Sequence, residues 1–240
     1  MLKRFLPVLL ILMFISAAHA QMYNAAYFYK SGIEFKNNNK LPEALTAFAK
    51  AISLNKNFDS AYFEMGNIYL RTEKDDNAIN SYKKAIAVNP RYTQAFLAMG
   101  KVYRYARQNF DSVIFYNRAA IKVDSTNKEA FYSLAWAYNA KQEYDKAIPN
   151  AIKALEIDNK YRAAYGELGH AYRASKKFAE AIEQFKKNLA VSVVDLAILY
   201  SGFCYTELNN KEGALQQYEE LKKINEKMAA SLKKKIDTMQ

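Results

Sequence analysis

A single pattern recurs six times between residues 25 and 228, and it limits the fold more than any other feature of the sequence. A small residue is followed three positions later by an aromatic residue, and this pair returns every 33 to 35 residues. The small residues are Gly32, Gly66, Gly100, Ala135, Gly169 and Gly202. Five of the seven glycines therefore occupy one column, which points to a structural requirement. A fixed period of this length indicates a stack of one supersecondary unit.

The copy at residues 59–92 shows the repeated unit most completely. Its recurring positions are Tyr62, Met65, Gly66, Tyr69, Ala78, Tyr82 and Pro90. This order resembles the tetratricopeptide repeat family, whose pattern is Trp-x2-Leu-Gly-x2-Tyr, then Ala-x3-Phe, then Pro. The apolar residues recur at spacings of three and four, which is typical of helices rather than strands.

The resemblance implies an all-α fold, namely a right-handed superhelical solenoid of six helix-turn-helix repeats followed by a capping helix. The predicted repeats one to six are residues 25–58, 59–92, 93–127, 128–161, 162–194 and 195–228, and the predicted cap is 229–240. Small residues in the column let the two helices of a repeat approach closely, and aromatic residues fill the space beside them. Each helix pair then buries its remaining apolar face on the next pair.

The end of the chain has the pattern of an amphipathic helix. Met228, Leu232, Ile236 and Met239 recur at helical spacing, and three lysines, 233–235, lie off that face. Open repeat arrays need such a helix to cover their last apolar face, so we interpret it as a cap. The alternative is a basic helix that binds a membrane surface or an acidic partner.

The first 20 residues have the layout of a secretory signal peptide. Lys3 and Arg4 precede an uncharged apolar run at 5–15, and small residues stand at 18–20. The apolar run is shorter than the roughly 20 residues that cross a bilayer, which disfavours the alternative of an uncleaved anchor. We expect cleavage between Ala20 and Gln21, and export to the periplasm or the extracellular space.

Charge and composition restrict the function. Removal of residues 1–20 leaves 33 basic and 24 acidic residues, a net charge of +9. This excess favours acidic partners or an anionic surface, although a merely well-solvated solenoid is an equal alternative. Nucleic acid is not expected as a partner because the chain is predicted to be exported.

Residues with catalytic or metal-binding chemistry are sparse. Beyond residue 20 the chain has one histidine, His170, and one cysteine, Cys204, in different repeats. No glycine-rich phosphate loop and no Gly-x-Ser-x-Gly elbow occurs. The sequence therefore predicts a protein that is not an enzyme and has no cofactor and no metal site.

The resemblance also implies where a partner binds. In this family the first helices of successive repeats line the concave face, where peptides bind. The matching positions share one helix face because they are spaced by four and then three. The candidate groove residues are Phe63, Asn67, Leu97, Lys101, Arg104, Tyr132, Trp136, Asn139, His170 and Arg173. We expect them to lie off the face that packs the two helices of a repeat together.

The content of this groove suggests a partner. Apolar and aromatic residues form its centre and basic residues surround it, so we expect an acidic protein or peptide with an apolar anchor, held by repeats two to five. For Trp136 the alternative is packing between neighbouring first helices. The expected function is that of an exported scaffold in the assembly or maintenance of a cell-envelope complex. The alternative is a peripheral protein that contacts a membrane weakly through residues 229–240.

Overall fold

The computed structural model describes residues 24–191 and 195–239. Across these residues it contains thirteen α-helices and no strand, which confirms the all-α class. The helices are α1 (Ala25–Asn37), α2 (Leu41–Leu54), α3 (Asp59–Arg71), α4 (Asp75–Val88), α5 (Thr93–Tyr105), α6 (Phe110–Val123), α7 (Lys128–Ala140), α8 (Tyr144–Ile157), α9 (Arg162–Ala174), α10 (Phe178–Val191), α11 (Asp195–Glu207), α12 (Lys211–Ile224) and α13 (Glu226–Ile236).

The predicted signal peptide and its cleavage point lie outside the described residues. Among the helices of the described part of the chain, none is both long and apolar enough to cross a membrane.

The chain separates into two compact bodies, and each is described by itself. The N-terminal body ends at Val102 and the C-terminal body begins at Tyr103. Within the bodies each first helix packs mainly on the second helix of its own repeat, as in the pairs α1–α2, α3–α4, α7–α8, α9–α10 and α11–α12. Neighbouring repeats then stack, for example α9 on α7 and α8.

The turn inside each repeat has the same backbone form. Among the residues that the structure describes, six have a positive φ between 48° and 61°, one in each turn: Asn39, Glu73, Gln108, Gln142, Lys176 and Asn209. The residue after it donates its backbone N–H to the carbonyl oxygen of the aromatic residue that follows the small residue of the repeat by three positions. Examples are Lys74 to Tyr69 at 2.8 Å and Lys177 to Tyr172 at 2.8 Å. A left-handed residue closing a helix end in this way stops the helix and reverses the chain.

The column glycines allow close helix contact. A Cβ atom added to Gly66 would lie 2.5 Å from the ring of Tyr82, and one added to Gly169 would lie 2.6 Å from the ring of Phe185. Both rings belong to the second helix of the same repeat and are almost completely buried. Glycine is therefore required because an aromatic ring occupies the place of its side chain.

The capping helix α13 differs from the expected 229–240 by starting at Glu226. It starts there because the side chain of Asn225 accepts a hydrogen bond from the backbone N–H of Met228 at 3.1 Å and so caps the helix. Its apolar face is buried through Ala229, Leu232 and Ile236, which pack in the core formed with α11 and α12. The face that a membrane-surface helix would insert into lipid is thus occupied within the protein.

Candidate functional site

Two groove candidates of the N-terminal body take part in packing within their own repeat. The ring of Phe63 lies 5.6 Å from that of Tyr82, and Asn67 Oδ1 accepts a hydrogen bond from the Tyr82 hydroxyl at 2.8 Å. Tyr82 belongs to α4 of the same repeat, so the expectation that these positions lie off the pair-packing face is wrong for both. The reason is that the Tyr82 ring passes over Gly66 and reaches the face beyond it.

The same part of the N-terminal body contains a small polar network. Glu64 Oε2 accepts hydrogen bonds from Lys36 Nζ at 2.8 Å and from Asn67 Nδ2 at 3.2 Å. Of the other two candidates here, Leu97 is half-buried and Lys101 is exposed. The polar side chain of Asn67 is therefore engaged internally.

In the C-terminal body Arg104 is held against aromatic rings. Its guanidinium carbon lies 4.1 Å from the centre of the Trp136 ring and 5.1 Å from that of Tyr132. An Nη atom of Arg104 also donates to the Tyr132 hydroxyl at 3.0 Å. Stacking of a guanidinium on aromatic faces is favourable when the site is partly desolvated. Arg104 is therefore half-buried against these rings, whereas the sequence suggested a surrounding charge.

Trp136 fits both interpretations made from the sequence. Its ring packs edge-on against Phe110 at 5.6 Å and contacts a core cluster that includes Val113 and Leu134. Trp136 also borders a cavity.

This cavity, of about 600 Å³, is the main concave feature near the groove candidates. Residues of α7, α9 and α11 form its sides, and α10 contributes Phe185 and Asn188. Three candidates border it, namely Trp136, Asn139 and His170. The cavity therefore lies across repeats four to six, largely between their first helices.

The cavity exists because repeat five departs from the repeat pattern at two positions. The column that contains Gly166 has Tyr29, Phe63, Leu97, Tyr132 and Leu199 in the other repeats. The column that contains Asn188 has Ala51, Ala85, Ala120 and Ala154 in repeats one to four. A Cβ atom added to Gly166 would lie 3.2 Å from Asn188 Nδ2, so the side chain of Asn188 faces Gly166. Because Gly166 replaces a bulky residue, space is left beside α9, and Asn188 places a polar group at this space.

A buried carboxyl group stands beside the cavity. Asn139 Nδ2 donates to the backbone oxygen of Glu167 at 2.9 Å and to its Oε2 atom at 2.8 Å. Burial raises the pKa of Glu167, while the Asn139 hydrogen bond and the charge of Arg104 act in the opposite direction. Glu167 occupies the same repeat position as Glu64, two residues before the column glycine.

Unpaired buried polar atoms gather at this site. Within the described residues, the buried side-chain atoms without a hydrogen-bond partner are Arg104 Nε, Asn139 Oδ1, His170 Nδ1, Arg173 Nε and Asn188 Oδ1. Four of these five residues are groove candidates. Buried polar groups in proteins are nearly always hydrogen-bonded, because leaving one unpaired costs about 1–3 kcal/mol. Three of the five residues, Asn139, His170 and Asn188, border the cavity.

The electrostatics of His170 depend on Arg173. Burial lowers the pKa of His170, and the positive charge of Arg173 lowers it further, so the imidazole is neutral at pH 7. The guanidinium of Arg173 lies 4.7 Å from the ring centre of Tyr200, which also borders the cavity. Arg173 therefore stands at the edge of the site.

Several lining residues were missed from the sequence, among them Tyr144, Gly166, Glu167, Asn188 and Tyr200. Two of them could have been found from the sequence. Gly166 stands in a column that has bulky residues in the other repeats, and Asn188 stands in a column that has alanine in repeats one to four. Within the described residues, no group of three His, Cys, Asp or Glu side chains could hold a metal ion.

Comparison with protein families identifies the repeats. Models described as TPR repeat or tetratricopeptide repeat match residues 32–73, 66–104, 128–161, 163–190 and 196–225. The chain is built from tetratricopeptide repeats. These repeats account for most of the residues from 32 to 225, and α6 of repeat three falls in the gap between two matches.

Solved structures of tetratricopeptide repeat proteins share this fold. PilW, a widely conserved type IV pilus biogenesis factor, has a TM-score of 0.70 at 14% identity, over 87% of this chain and 97% of its own. YrrB, a TPR protein with an unusual peptide-binding site, has a TM-score of 0.70 at 22% identity, over 78% of this chain and 98% of its own.

A third structure, the C-terminal part of a TPR repeat-containing protein from Cytophaga hutchinsonii, has a TM-score of 0.72 at 20% identity. It matches over 90% of this chain and 91% of its own. No curated protein sequence matches the chain. At these identities the likeness establishes the fold as an all-α TPR scaffold.

Proposed function

We propose that this tetratricopeptide repeat chain is a non-catalytic scaffold that binds a protein or peptide segment across repeats four to six. The cavity beside Gly166 is the centre of the proposed site. Binding of a protein or peptide is what TPR scaffolds do, and YrrB, of the same fold, is a TPR protein with a peptide-binding site.

The observation that carries this proposal is one cavity whose lining includes three polar residues with an unpaired buried atom. These atoms are the two acceptors Asn139 Oδ1 and Asn188 Oδ1 and the ring nitrogen Nδ1 of His170. A polypeptide main chain offers donors and acceptors in alternation, so an extended segment can satisfy both kinds at once. Trp136, Tyr144 and Tyr200 add aromatic surface for an apolar anchor beside them.

The charge of the site supports acidic residues in the partner. Arg104 and Arg173 each stack on a ring that borders the cavity, Arg104 on Trp136 and Arg173 on Tyr200. Without residues 1–20 the chain carries a net charge of +9, which accelerates the approach of an acidic segment. We propose that the acidic residues of the partner lie along these flanks and that the anchor enters the cavity.

The proposal includes export and a role in assembling a cell-envelope complex. The basic start, apolar run and small residues of positions 1–20 support export. A structure of the same fold, PilW, is a pilus biogenesis factor, and an assembly role of this kind suits an exported scaffold. We expect the intact mass of the exported protein to correspond to residues 21–240, and a mass that retains residues 1–20 would contradict cleavage.

Replacement of Asn188 by alanine tests the site. Alanine occupies this column in repeats one to four, where it is completely buried, so Asn188→Ala should fold normally. The change removes the acceptor Oδ1, and a donor of the bound peptide loses its partner. We expect binding to weaken about tenfold, at a cost of about 1–3 kcal/mol. Because Asn188 Nδ2 also donates to the backbone oxygen of Arg162 at 3.2 Å, we expect stability to fall by about 1 kcal/mol at most.

The measurement uses dodecapeptides selected from a random display library on the full-length chain, with affinities measured by calorimetry. The matched control is Asn150→Ala on α8, whose side chain bonds only to Lys146 O at 2.8 Å and should leave affinity unchanged. Selection of no peptide, or equal affinities for both variants and the unmodified chain, would contradict the proposed site.

A further inference from the structure

The outer side of repeat one carries a groove at the N-terminal end of the described helices. Residues of α1 and α2 line this groove, which has a volume of about 560 Å³. Its apolar surface includes the rings of Tyr27, Phe28 and Phe35, and two side chains of opposite charge, Glu43 and Lys50, lie on its α2 side. We call the surface formed by these five residues the first-repeat face.

The position of Tyr27 is a packing position in every later repeat. Repeats two to six have an alanine there, and none of these is more than 4% exposed: Ala61, Ala95, Ala130, Ala164 and Ala197. Ala61, for example, packs in a core cluster with residues of α2 in repeat one. Tyr27 is instead 44% exposed. Repeat one therefore turns toward solvent the side that later repeats pack on their predecessor, and it has an aromatic ring there in place of a methyl group.

The two ends of the repeat array are built differently. Helix α13 covers the last repeat with its apolar side and has exposed lysines such as Lys227 and Lys234 on the other. Terminal repeats need such a polar outer side for solubility. No helix precedes α1 among the described residues. After the proposed cleavage only residues 21–23 precede Asn24, the N-cap of α1, which is less than one helical turn. The mature chain therefore has no segment ahead of α1 that is long enough to form a covering helix.

The charges of the first-repeat face are self-complementary. Glu43 and Lys50 are exposed and lie seven residues apart on α2, so they share one side of the helix at a separation of about 10 Å along its axis. In two copies related by a two-fold axis with antiparallel α2 helices, Glu43 of each copy lies beside Lys50 of the other. The same ion pair then forms twice, and charge pairs of this kind fix the register of an interface.

We propose that the first-repeat face binds a second copy of this chain about a two-fold axis, with the three rings at the centre and a Glu43–Lys50 pair on each side. The pairing is closed, because each copy uses the same surface and α13 covers the other end of the array. Association therefore stops at the dimer. A dimer presents two of the sites proposed in repeats four to six, so a partner that carries the bound segment twice gains affinity through avidity.

The size of the first-repeat face sets the strength of the dimer. Helices α1 and α2 have 13 and 14 residues. Two helices of about 20 Å bury roughly 1,000 Å² in total when they pack on an equal pair, which is the lower limit for a specific interface. We therefore expect a dissociation constant in the micromolar range.

Sedimentation equilibrium tests the dimer on the mature chain, residues 21–240, at loading concentrations from about 1 to 300 μM, which bracket a micromolar dissociation constant. Tyr27→Ala introduces the residue that repeats two to six have, so it should fold normally. It removes a central ring, and we expect the dissociation constant to rise at least about tenfold. The matched control is Phe115→Ala, which removes a ring that is 65% exposed on α6 and should leave the dissociation constant unchanged.

Exchange of the two charges tests the two-fold arrangement. E43K and K50E each place like charges opposite one another twice, so each variant alone should weaken the dimer at least about tenfold. The two variants change the net charge in opposite directions, so an effect of net charge cannot weaken both. The double variant E43K/K50E restores both pairs and should dimerise within about threefold of the unmodified chain. A mixture of E43K with K50E should form the heterodimer, in which both pairs again join opposite charges.

The outcomes that would overturn the inference are distinct. A monomer at every concentration, or a dimer that Tyr27→Ala and the single charge variants leave unchanged, would show that this face does not bind a second copy. Failure of E43K and K50E to form the heterodimer would exclude the two-fold pairing. A monomeric mature chain that residues 1–20 stabilise when they are retained would assign the face to that segment instead. The inference uses the proposed cleavage but not the peptide site, so selected peptides should bind all these variants with unchanged affinity.

Discussion

The variant G166Y/N188A should lose peptide binding while remaining as stable as the unmodified chain or becoming more stable. The two changes restore the repeat pattern. Tyrosine occupies the column of Gly166 in repeats one and four, and alanine occupies the column of Asn188 in repeats one to four. The tyrosine ring fills the cavity, and the space that Asn188 leaves accepts it. We expect at least a 100-fold loss of affinity, equivalent to about 2.7 kcal/mol.

Stability should not fall, because glycine within a helix costs up to about 1 kcal/mol relative to other residues and the variant removes it. This gain offsets the loss of the hydrogen bond from Asn188 Nδ2 to the backbone oxygen of Arg162. The unpaired Oδ1 atom of Asn188 disappears as well. The measurements are calorimetric affinity and thermal denaturation on the same samples. Gly166→Ala is the control, since one methyl group leaves most of the cavity open and should change affinity less than about threefold. Full affinity in G166Y/N188A would show that the partner binds elsewhere.

Replacement of Leu232 by alanine should have the largest effect on stability. Leu232 is fully buried on the capping helix, and it occupies the space above Gly202, where an added Cβ atom would lie 2.4 Å from Leu232 Cδ2. In repeats one, two and five an aromatic ring of the second helix fills the corresponding space. Truncation leaves a cavity against backbone that cannot close over it, so we expect a loss of about 2–5 kcal/mol.

The loss is measured by denaturant unfolding, with Ser231→Ala as a control on the same helix because Ser231 is exposed. Partial release of α13 would also expose Ile198 and Leu221, so Leu232→Ala should self-associate at high concentration. An unchanged stability would mean that α13 is not a cap, and its apolar face would then be free for the membrane-surface role considered from the sequence.

The repeat architecture was predictable because its cause is local and repeated. Each column residue has the same neighbours in every copy, so six weak signals combine into a strong one. Trp136, Asn139 and His170, which the repeat spacing assigns to one face of the first helices, all border the cavity. The turn residues with positive φ, such as Glu73 and Lys176, were not predicted, since none of them is glycine.

The cavity was not predictable in the same way, because it depends on what neighbouring helices do when a side chain is missing. Gly166 breaks a column, but only the packing shows that the space stays open and that Asn188 faces it. The orientation of Arg104 and Arg173 was also beyond the sequence. The sequence spacing predicts the helix face that carries the arginine Cα atom. The position of the guanidinium depends on stacking against Trp136 or Tyr200, which only the structure shows.

The emission of Trp136 tests the central claim most directly. Trp136 is the only tryptophan of the chain and borders the cavity, so its fluorescence reports on occupancy without a label. On titration with a selected peptide that lacks tryptophan, we predict a shift in emission that saturates with the calorimetric dissociation constant and is absent in G166Y/N188A. Binding with the same constant and no change in Trp136 emission would contradict a site across repeats four to six.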